Sequence, residues 1–473
     1  MTSPVLSSSG PDTVPGGPGA PDPGALPASS RQDWCWHWVR SHTEDSTPLE
    51  SPEVLRLRGR LDTGALRDAL AEIETRHEAL RLHLAGDGGP AADAAWPGQR
   101  LRAAPGGLDV VPVRPGDEEA EVTRTLDRRL DPTDRMARMT LLRSADDDHV
   151  LVGQFHHLVM DATSHDVFRR ELAAGYAART GAAGGTPAEG PAPFGYVDMI
   201  RREGSARAGE DRRDRAAAVA RTLRAHGADQ PLPAGPGAEV THRARFAGIP
   251  LALSAEHGER LLRWCREQRT TPHNALLALL ARGVAEVYER DRLVASVYMH
   301  GRTTPAARGA VGLLCNVLPV PLDVAGGSLS ALARRTGERV LAAWDGVDLP
   351  LSAVADHAAA RTGTEAVFRT AMSHLEFRMT GGAGRSGREA GAPLPFGAGL
   401  SAEHMAYEPP DRGLRFSGRR QALQCARTLY ADAHVTENGV TGSLWYDEQY
   451  HDTVRLTRVS DIFHAYVGNL PVS

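Results

Sequence analysis

Apolar and polar residues alternate with period two from Glu53 to Gly59 (EVLRLRG), which predicts a half-buried strand. From Thr63 to Leu84 the period lengthens. Leu66, Leu70, Ile73 and Leu80 recur at helical spacing, so the pattern predicts one amphipathic helix there. A short strand is expected at Leu108–Val113 and a polar helix from Glu118 to Leu130. Met136–Leu142 and His149–Phe155 read as a hairpin across the turn-forming Ser144–Asp148. Ser164–Tyr176 reads as a helix with Ser164 as its N-cap.

In the second half a charged helix is expected from Phe194 to about Arg224, then a strand from Thr241 to Leu253 and a helix from Ser254 to Gln268. Thr271 and Pro272 are a cap and a first-turn proline. They open a helix whose Leu276, Leu277, Leu279, Leu280, Val284 and Val287 predict deep burial. An apolar strand follows at Leu293–Met299. Gly312–Leu322 reads as a crossing segment or edge strand, and Ala366–Phe377, Arg427–Val435 and Val440–Tyr446 as further strands. Gly381–Gly399 reads as a glycine-rich loop, and a last helix runs from about Asp452 to Val467. The alternation of helices and strands gives an α/β chain with layered α+β character.

Proline and glycine divide it. Residues 1–28 hold little apolar surface and are expected to be a disordered tail, and Gly181–Pro193 marks a boundary or mobile connection. The expected organisation is an N-terminal lobe over 29–190 and a C-terminal lobe over 191–473 that begins with a bridging helix. Trp34, Trp36 and Trp38 are read as an anchor that buries large rings in the first lobe.

Composition narrows the partners. A length of 473 residues suggests two or three domains, and 41% hydrophobic residues are enough to build them; the net charge of −5 offers no basic field to nucleic acid. Cys35, Cys265, Cys315 and Cys425 lack CxxC spacing and are read as free thiols in a reducing compartment. No apolar run is long enough for a membrane span, and the first residues lack a signal-peptide pattern, so the expectation is a soluble, cytoplasmic monomer.

The strongest chemical signal is His156-His157-Leu158-Val159-Met160-Asp161-Ala162, at the end of an apolar strand. A histidine there can act as a base near neutral pH, and an aspartate nearby can orient a ring or hold a cation. A rival reading makes His157, Asp161 and His165, spaced by four, a metal site on one helix face; the strand ending at Phe155 argues against it. Arg302, delivered by the Leu293–Met299 strand, brings a charge from the other half.

Several stretches together resemble the condensation domain of nonribosomal peptide synthetases, within the thioester-dependent acyltransferases. They are the HHxxxD run, Arg76-His77-Glu78-Ala79-Leu80-Arg81, Tyr196-Val197-Asp198, Gly301-Arg302, and Val311-Gly312-Leu313-Leu314-Cys315-Asn316-Val317-Leu318-Pro319-Val320. The resemblance implies two chloramphenicol-acetyltransferase-like lobes in a V-shaped pseudo-dimer with an interlobe tunnel. His157 would position or deprotonate an attacking amine, and His156 would be mostly structural. Asp161 would pair with Arg302 across the lobes, while Ala162, Thr163 and Asn316 would line the substrate path.

The implied reaction joins a carrier-protein-bound acyl or aminoacyl thioester to an amine in natural-product biosynthesis. The phosphopantetheine arm comes from the peptidyl or acyl carrier protein, with no cofactor or metal held by the chain. The acceptor is a small-molecule amine or alcohol, or a second carrier-bound group. Two alternatives accompany this reading: an ester-forming acyltransferase, and a non-catalytic carrier-protein recruitment module of the same fold. Ala162 stands where the family has glycine. The residue after Ser164 is histidine rather than the tryptophan of epimerisation domains. Both motif histidines are present, unlike cyclisation domains, and no DFGWG stretch of plant-type alcohol acyltransferases occurs. No adenylation or carrier segment follows the lobes, and with Met1 ahead of the tail the expectation is a free-standing enzyme.

Overall fold

The computed structural model describes residues 24–40, 50–86, 96–181, 194–206, 210–235, 245–349, 351–359, 373–381, 394–397, 399–405, 428–436 and 439–471. The first half contains α1 (Ser30–Arg40), β1 (Glu53–Arg58), α2 (Thr63–Arg76), β2 (Leu82–Leu84), β3 (Gln99–Leu101) and β4 (Leu108–Pro112). It continues with α3 (Glu118–Asp127), β5 (Ala137–Arg143), β6 (Asp148–Phe155) and α4 (Ala162–Arg179). The second half opens with α5 (Tyr196–Ala206), α6 (Glu210–Ala225), β7 (Phe246–Pro250), α7 (Ala255–Glu267), α8 (Pro272–Val287), β8 (Arg292–Met299) and α9 (Pro305–Arg308). There follow β9 (Asn316–Asp323), α10 (Leu329–Ala343), α11 (Leu351–Ala359), β10 (Leu375–Gly381), β11 (Leu394–Gly397), β12 (Leu400–His404), β13 (Leu429–Thr436), β14 (Gly439–Asp447) and α12 (Thr453–Gly468).

Two six-stranded sheets organise these elements. One has the order β11-β12-β1-β6-β5-β4 and the other β7-β14-β13-β10-β8-β9. In the first, α2 and α4 cover one face and bury Leu66, Leu70, Phe168 and Leu172 against Leu55, Leu141 and Leu151. In the second, α8 is the central helix. Thr271 accepts a hydrogen bond from the Asn274 N–H at 3.2 Å, Pro272 occupies the first turn, and Leu276, Leu277, Leu279, Leu280 and Val284 are all buried, as their spacing predicts.

The first sheet is not made by the first half alone. β12 pairs antiparallel with β1, Leu55 opposite His404 and Arg58 opposite Ser401, and β11 pairs outside it. The expected glycine-rich loop at 381–399 therefore contains a strand. Leu394-Pro395-Phe396-Gly397 forms it because Phe396 is buried beside Tyr176, their ring centroids 6.0 Å apart. Residues 382–393 of that loop lie outside the described residues, as do 1–23 of the expected tail, 182–193 of the expected boundary and the cysteine at 425. Leu26 exchanges backbone hydrogen bonds with Gln99 at 2.8 and 3.0 Å and Ala28 is buried, so ordered chain starts before Ser29.

Three other expectations change. The helix over Thr63–Leu84 stops at Arg76. His77 turns extended and gives both ring nitrogens to tertiary contacts, after which Glu78–Arg81 forms a 3-10 turn and Leu82–Leu84 a strand. The charged helix after Phe194 is two helices, α5 and α6, with 207–209 between them outside the described residues. The cap of α4 is Asp161 rather than Ser164. Trp36 is buried edge-on to Trp96 at 5.3 Å, in keeping with an anchoring segment. Cys35, Cys265 and Cys315 are free thiols. Among the described residues no helix is long and apolar enough to cross a membrane.

Candidate active site

Strand β6 is buried along almost its whole length and delivers the two histidines at its end. His156 begins a 3-10 turn over His157–Val159, and its Nδ1 accepts a hydrogen bond from the Leu158 N–H at 3.2 Å. Burial, with His157 adding its charge, drives the His156 pKa down to about 3, so the ring is a neutral fixture of the turn.

His157 is half-buried. Its Nδ1 lies 2.7 Å from the Met160 carbonyl oxygen. A carbonyl only accepts, so the proton sits on Nδ1, and Nε2 is left as the acceptor. Burial lowers the pKa of this ring, and the charges of His165 and Arg378 act in the same direction. The Met160 bond and Asp161 oppose them in part. A neutral imidazole with a fixed tautomer is what a base needs.

Asp161 is 1% exposed and Arg302 2%. The guanidinium meets the carboxylate with two parallel bonds, Nη1 to Oδ2 and Nη2 to Oδ1, each 2.8 Å. Ser164 donates to Asp161 Oδ1 from its N–H at 2.9 Å and its Oγ at 2.8 Å, and the Leu314 and Cys315 N–H groups donate to Oδ2 at 3.0 and 2.9 Å. Burial alone would raise the Asp161 pKa, but the Arg302 charge and these hydrogen bonds bring it below the ordinary carboxylate value. The pair ties the start of α4 in the first half to the loop after β8 in the second.

The other motif stretches close around the same crossing segment. His77 Nε2 donates to Glu171 at 2.8 Å while its Nδ1 accepts from the Val311 N–H at 3.3 Å. Glu78 accepts from the Val197 N–H at 2.9 Å, and the Tyr196 hydroxyl donates to the Leu313 carbonyl at 3.2 Å. The RHExLR and Tyr-x-Asp stretches thus fix residues 311–315, which in turn supply the N–H groups on Asp161.

Ala162, the first residue of α4, is exposed and Thr163 is half-buried beside it. Asn316 is buried and both ends of its amide are engaged by backbone: Nδ2 donates to Val347 O at 2.9 Å and Oδ1 accepts from the Val317 N–H at 2.9 Å. What it gives the site is the fixed start of β9. His165 turns away from His157, its Nδ1 2.9 Å from Glu53 and its Nε2 2.7 Å from Ser51. Asp161 is committed to Arg302, so the three residues of the rival metal reading diverge. Among the described residues no group of three His, Cys, Asp or Glu is arranged to hold a metal. Burial, with Asp161 adding, pushes the Cys315 thiol up to about 12, too high for a thiolate nucleophile.

Sequence patterns alone do not single out one further group. Tyr298 on β8 and Glu376 and Arg378 on β10 point away from the second core. Tyr298 OH donates a short hydrogen bond to Glu376, and the Arg378 guanidinium stands 5.9 Å from the Tyr298 ring centroid. The available signal is Leu375-Glu376-Phe377-Arg378-Met379, where charges alternate with apolar residues inside a strand.

The family model for the condensation domain matches residues 24–379. The chain belongs to the condensation-domain family. It is 30% identical over 354 residues to the isonitrile lipopeptide synthase of Mycobacterium tuberculosis, covering 71% of this chain and 14% of that protein. Among solved structures, it is similar to the X-domain in its complex with OxyB from teicoplanin biosynthesis (TM-score 0.70, 20% identity, 95% of each chain). It is also similar to the SgcC5 protein from Streptomyces globisporus (TM-score 0.62, 21% identity, 93% of this chain and 98% of that one). The chain thus has the condensation-domain fold of two chloramphenicol-acetyltransferase-like lobes. It spans only a small part of the curated synthetases it matches, 14% of the first and 6% of a linear gramicidin synthase from Brevibacillus parabrevis.

Proposed function

We propose that this chain is an acyltransferase that joins a carrier-bound acyl or aminoacyl thioester to an amine. The amine nitrogen attacks the thioester carbonyl carbon, the C–N bond forms and the C–S bond breaks. The proton leaving the amine passes to His157 Nε2 and from there to the departing pantetheine sulfur. A thioester is already activated, so alignment of the two reactants carries most of the rate, and proton transfer adds roughly 10²- to 10⁴-fold.

The observation that carries this reading is the His157 Nδ1 to Met160 bond, which leaves Nε2 unprotonated on a half-buried ring. Asp161 and Arg302 hold the loop in shape without touching the reactants, and Ala162 and Thr163, at the mouth of α4, face the substrate. A carrier protein supplies the phosphopantetheine arm. In a reconstituted assay with loaded carrier protein, His157→Ala is expected to lose the proton-transfer factor while keeping its fold by circular dichroism; full product formation would remove His157 from the mechanism.

A second reading has the X-domain likeness behind it: a module that docks a partner on a carrier protein without turnover. The intact His157 tautomer and the Asp161–Arg302 pair favour chemistry. Binding of loaded carrier protein with no product across amine and alcohol acceptors would reverse that choice, and a product stable to alkaline hydroxylamine distinguishes amide from ester.

A further inference from the structure

Strand β10 sends Leu375 and Phe377 into the second core, and Glu376 and Arg378 to the opposite face. On one side Tyr298 of β8 hydrogen-bonds Glu376 and lies under the Arg378 guanidinium. On the other side β13 sets Asp432 in register with Arg378, but the Asp432 carboxylate accepts from Trp445 Nε1 at 2.5 Å. Both nearby carboxylates are therefore engaged by other donors. Among the described residues Arg378 makes no hydrogen bond and no ion pair, and its side chain is exposed. Tyr298, which lies under the guanidinium, stands opposite Val317 on β9, two residues from Cys315, whose N–H donates to Asp161; this register sets Arg378 on the side of the sheet that borders the Asp161 loop, and its charge acts on His157 and Cys315.

A guanidinium with no carboxylate in hydrogen-bond contact among the described residues, beside a reaction centre, is suited to an anion supplied by a substrate. The Tyr298 ring lies 5.9 Å from the guanidinium carbon, and a planar guanidinium is suited to bidentate carboxylate recognition. In a donor or acceptor held on a carrier the α-carboxyl carbon is the thioester, so the carboxylate that belongs to the reacting amine's own amino acid is free only in an acceptor that is not on a carrier.

We infer that Arg378 binds the carboxylate of a free amino acid whose amine is presented to His157, so that the acceptor is a free amino acid and the product a free N-acyl amino acid. The inference rests on the acyl-transfer reading above. The bonds made and broken are the same, and the acceptor carboxylate passes through unchanged.

The test uses the full chain with octanoyl-pantetheine and alanyl-pantetheine as donors. Glycine, β-alanine and 4-aminobutyrate serve as acceptors beside their primary amides, with every rate referred to the concentration of deprotonated amine. The acids are expected to exceed their amides in kcat/KM by at least about tenfold, chiefly in KM. Arg378→Ala is expected to bring that ratio toward one and Arg378→Lys to restore part of it. Equal use of acids and amides, or an equal loss for both in Arg378→Ala, would overturn the inference and leave acyl transfer standing.

A readout without turnover separates the subsite from the reaction. By imidazole NMR, saturating the protein with the preferred acid is expected to raise the His157 pKa, because the carboxylate offsets the Arg378 charge; the other charged neighbours of the ring, Asp161 and His165, are unchanged by the exchange. In Arg378→Ala the acid should produce no such shift. A shift with no turnover from any acceptor would keep the subsite and sink the reaction; no shift would sink the subsite.

Discussion

An aspartate that stays ionised while almost wholly enclosed needs a donor on each lone pair, and Asp161 has them from Arg302, Ser164, Leu314 and Cys315. Removing its charge leaves the Arg302 guanidinium enclosed and uncompensated. Asp161→Asn is therefore expected to cost about 3–5 kcal/mol in urea denaturation. Pairing it with Arg302→Met should cost much less than the sum of the two single changes, since the second change removes the orphaned charge. His156, His157, Asp161 and Arg302 were legible as candidates in the sequence because histidines at a strand end and an arginine after a strand carry few structural alternatives. Tyr298, Glu376 and Arg378 were not. Polar residues alternating in a strand read equally well as a solvated face, and only the packing of β10 between β8 and β13 brings Tyr298, Glu376 and Arg378 together on the side opposite the second core. The Asn316 amide was equally opaque, because its partners Val347 and Val317 are set by the fold.

Among elements, the turn between β8 and α9 sets the reach of Arg302. Gly301 has φ +64°, and a Cβ there would lie 1.8 Å from the Leu314 carbonyl oxygen, part of the segment that donates to Asp161. Gly301→Ala should destabilise the protein by at least about 2 kcal/mol, from left-handed strain plus the clash, and acyl transfer should fall with it. Differential scanning fluorimetry with a parallel rate measurement checks both. Periodicity located α8 and its cap well, since both rest on local signals, Thr271-Pro272 and a run of leucines. It failed at His77, where helical spacing continues to Leu80 but the side chain is required by Glu171 and Val311, far away in sequence.

For the whole molecule, buried titratable groups set opposing slopes of stability against pH. His156 and His374 titrate near 3 and 4 when folded, lowered chiefly by burial, against 6.5 for an ordinary histidine. The unfolded chain therefore takes up their protons first, and stability falls as pH drops below 6.5. Glu376 acts in the other direction. Burial pushes its pKa up to about 7 from 4.5, so the folded state binds the proton first and stability rises as pH drops from 7 to 4.5. Glu376→Gln removes the compensating term. Its melting temperature is expected to fall more steeply than that of the unaltered protein between pH 6.5 and 4.5; parallel curves would show that Glu376 is ionised throughout.

The strand pair β11–β12 comes from late in the chain and completes the sheet of the early half, lying on the outer edge of β1. Severing the protein near residue 190 would leave β1 with a row of unpaired N–H and C=O groups beside Tyr176 stripped of Phe396. Such a fragment is an open template, and it is expected to form aggregates by edge-to-edge pairing unless the complementary fragment is present to donate the missing strands. The halves are thus joined as by a clasp, and any widening of the cleft during a reaction cycle has to be a rotation that this borrowed pair of strands permits.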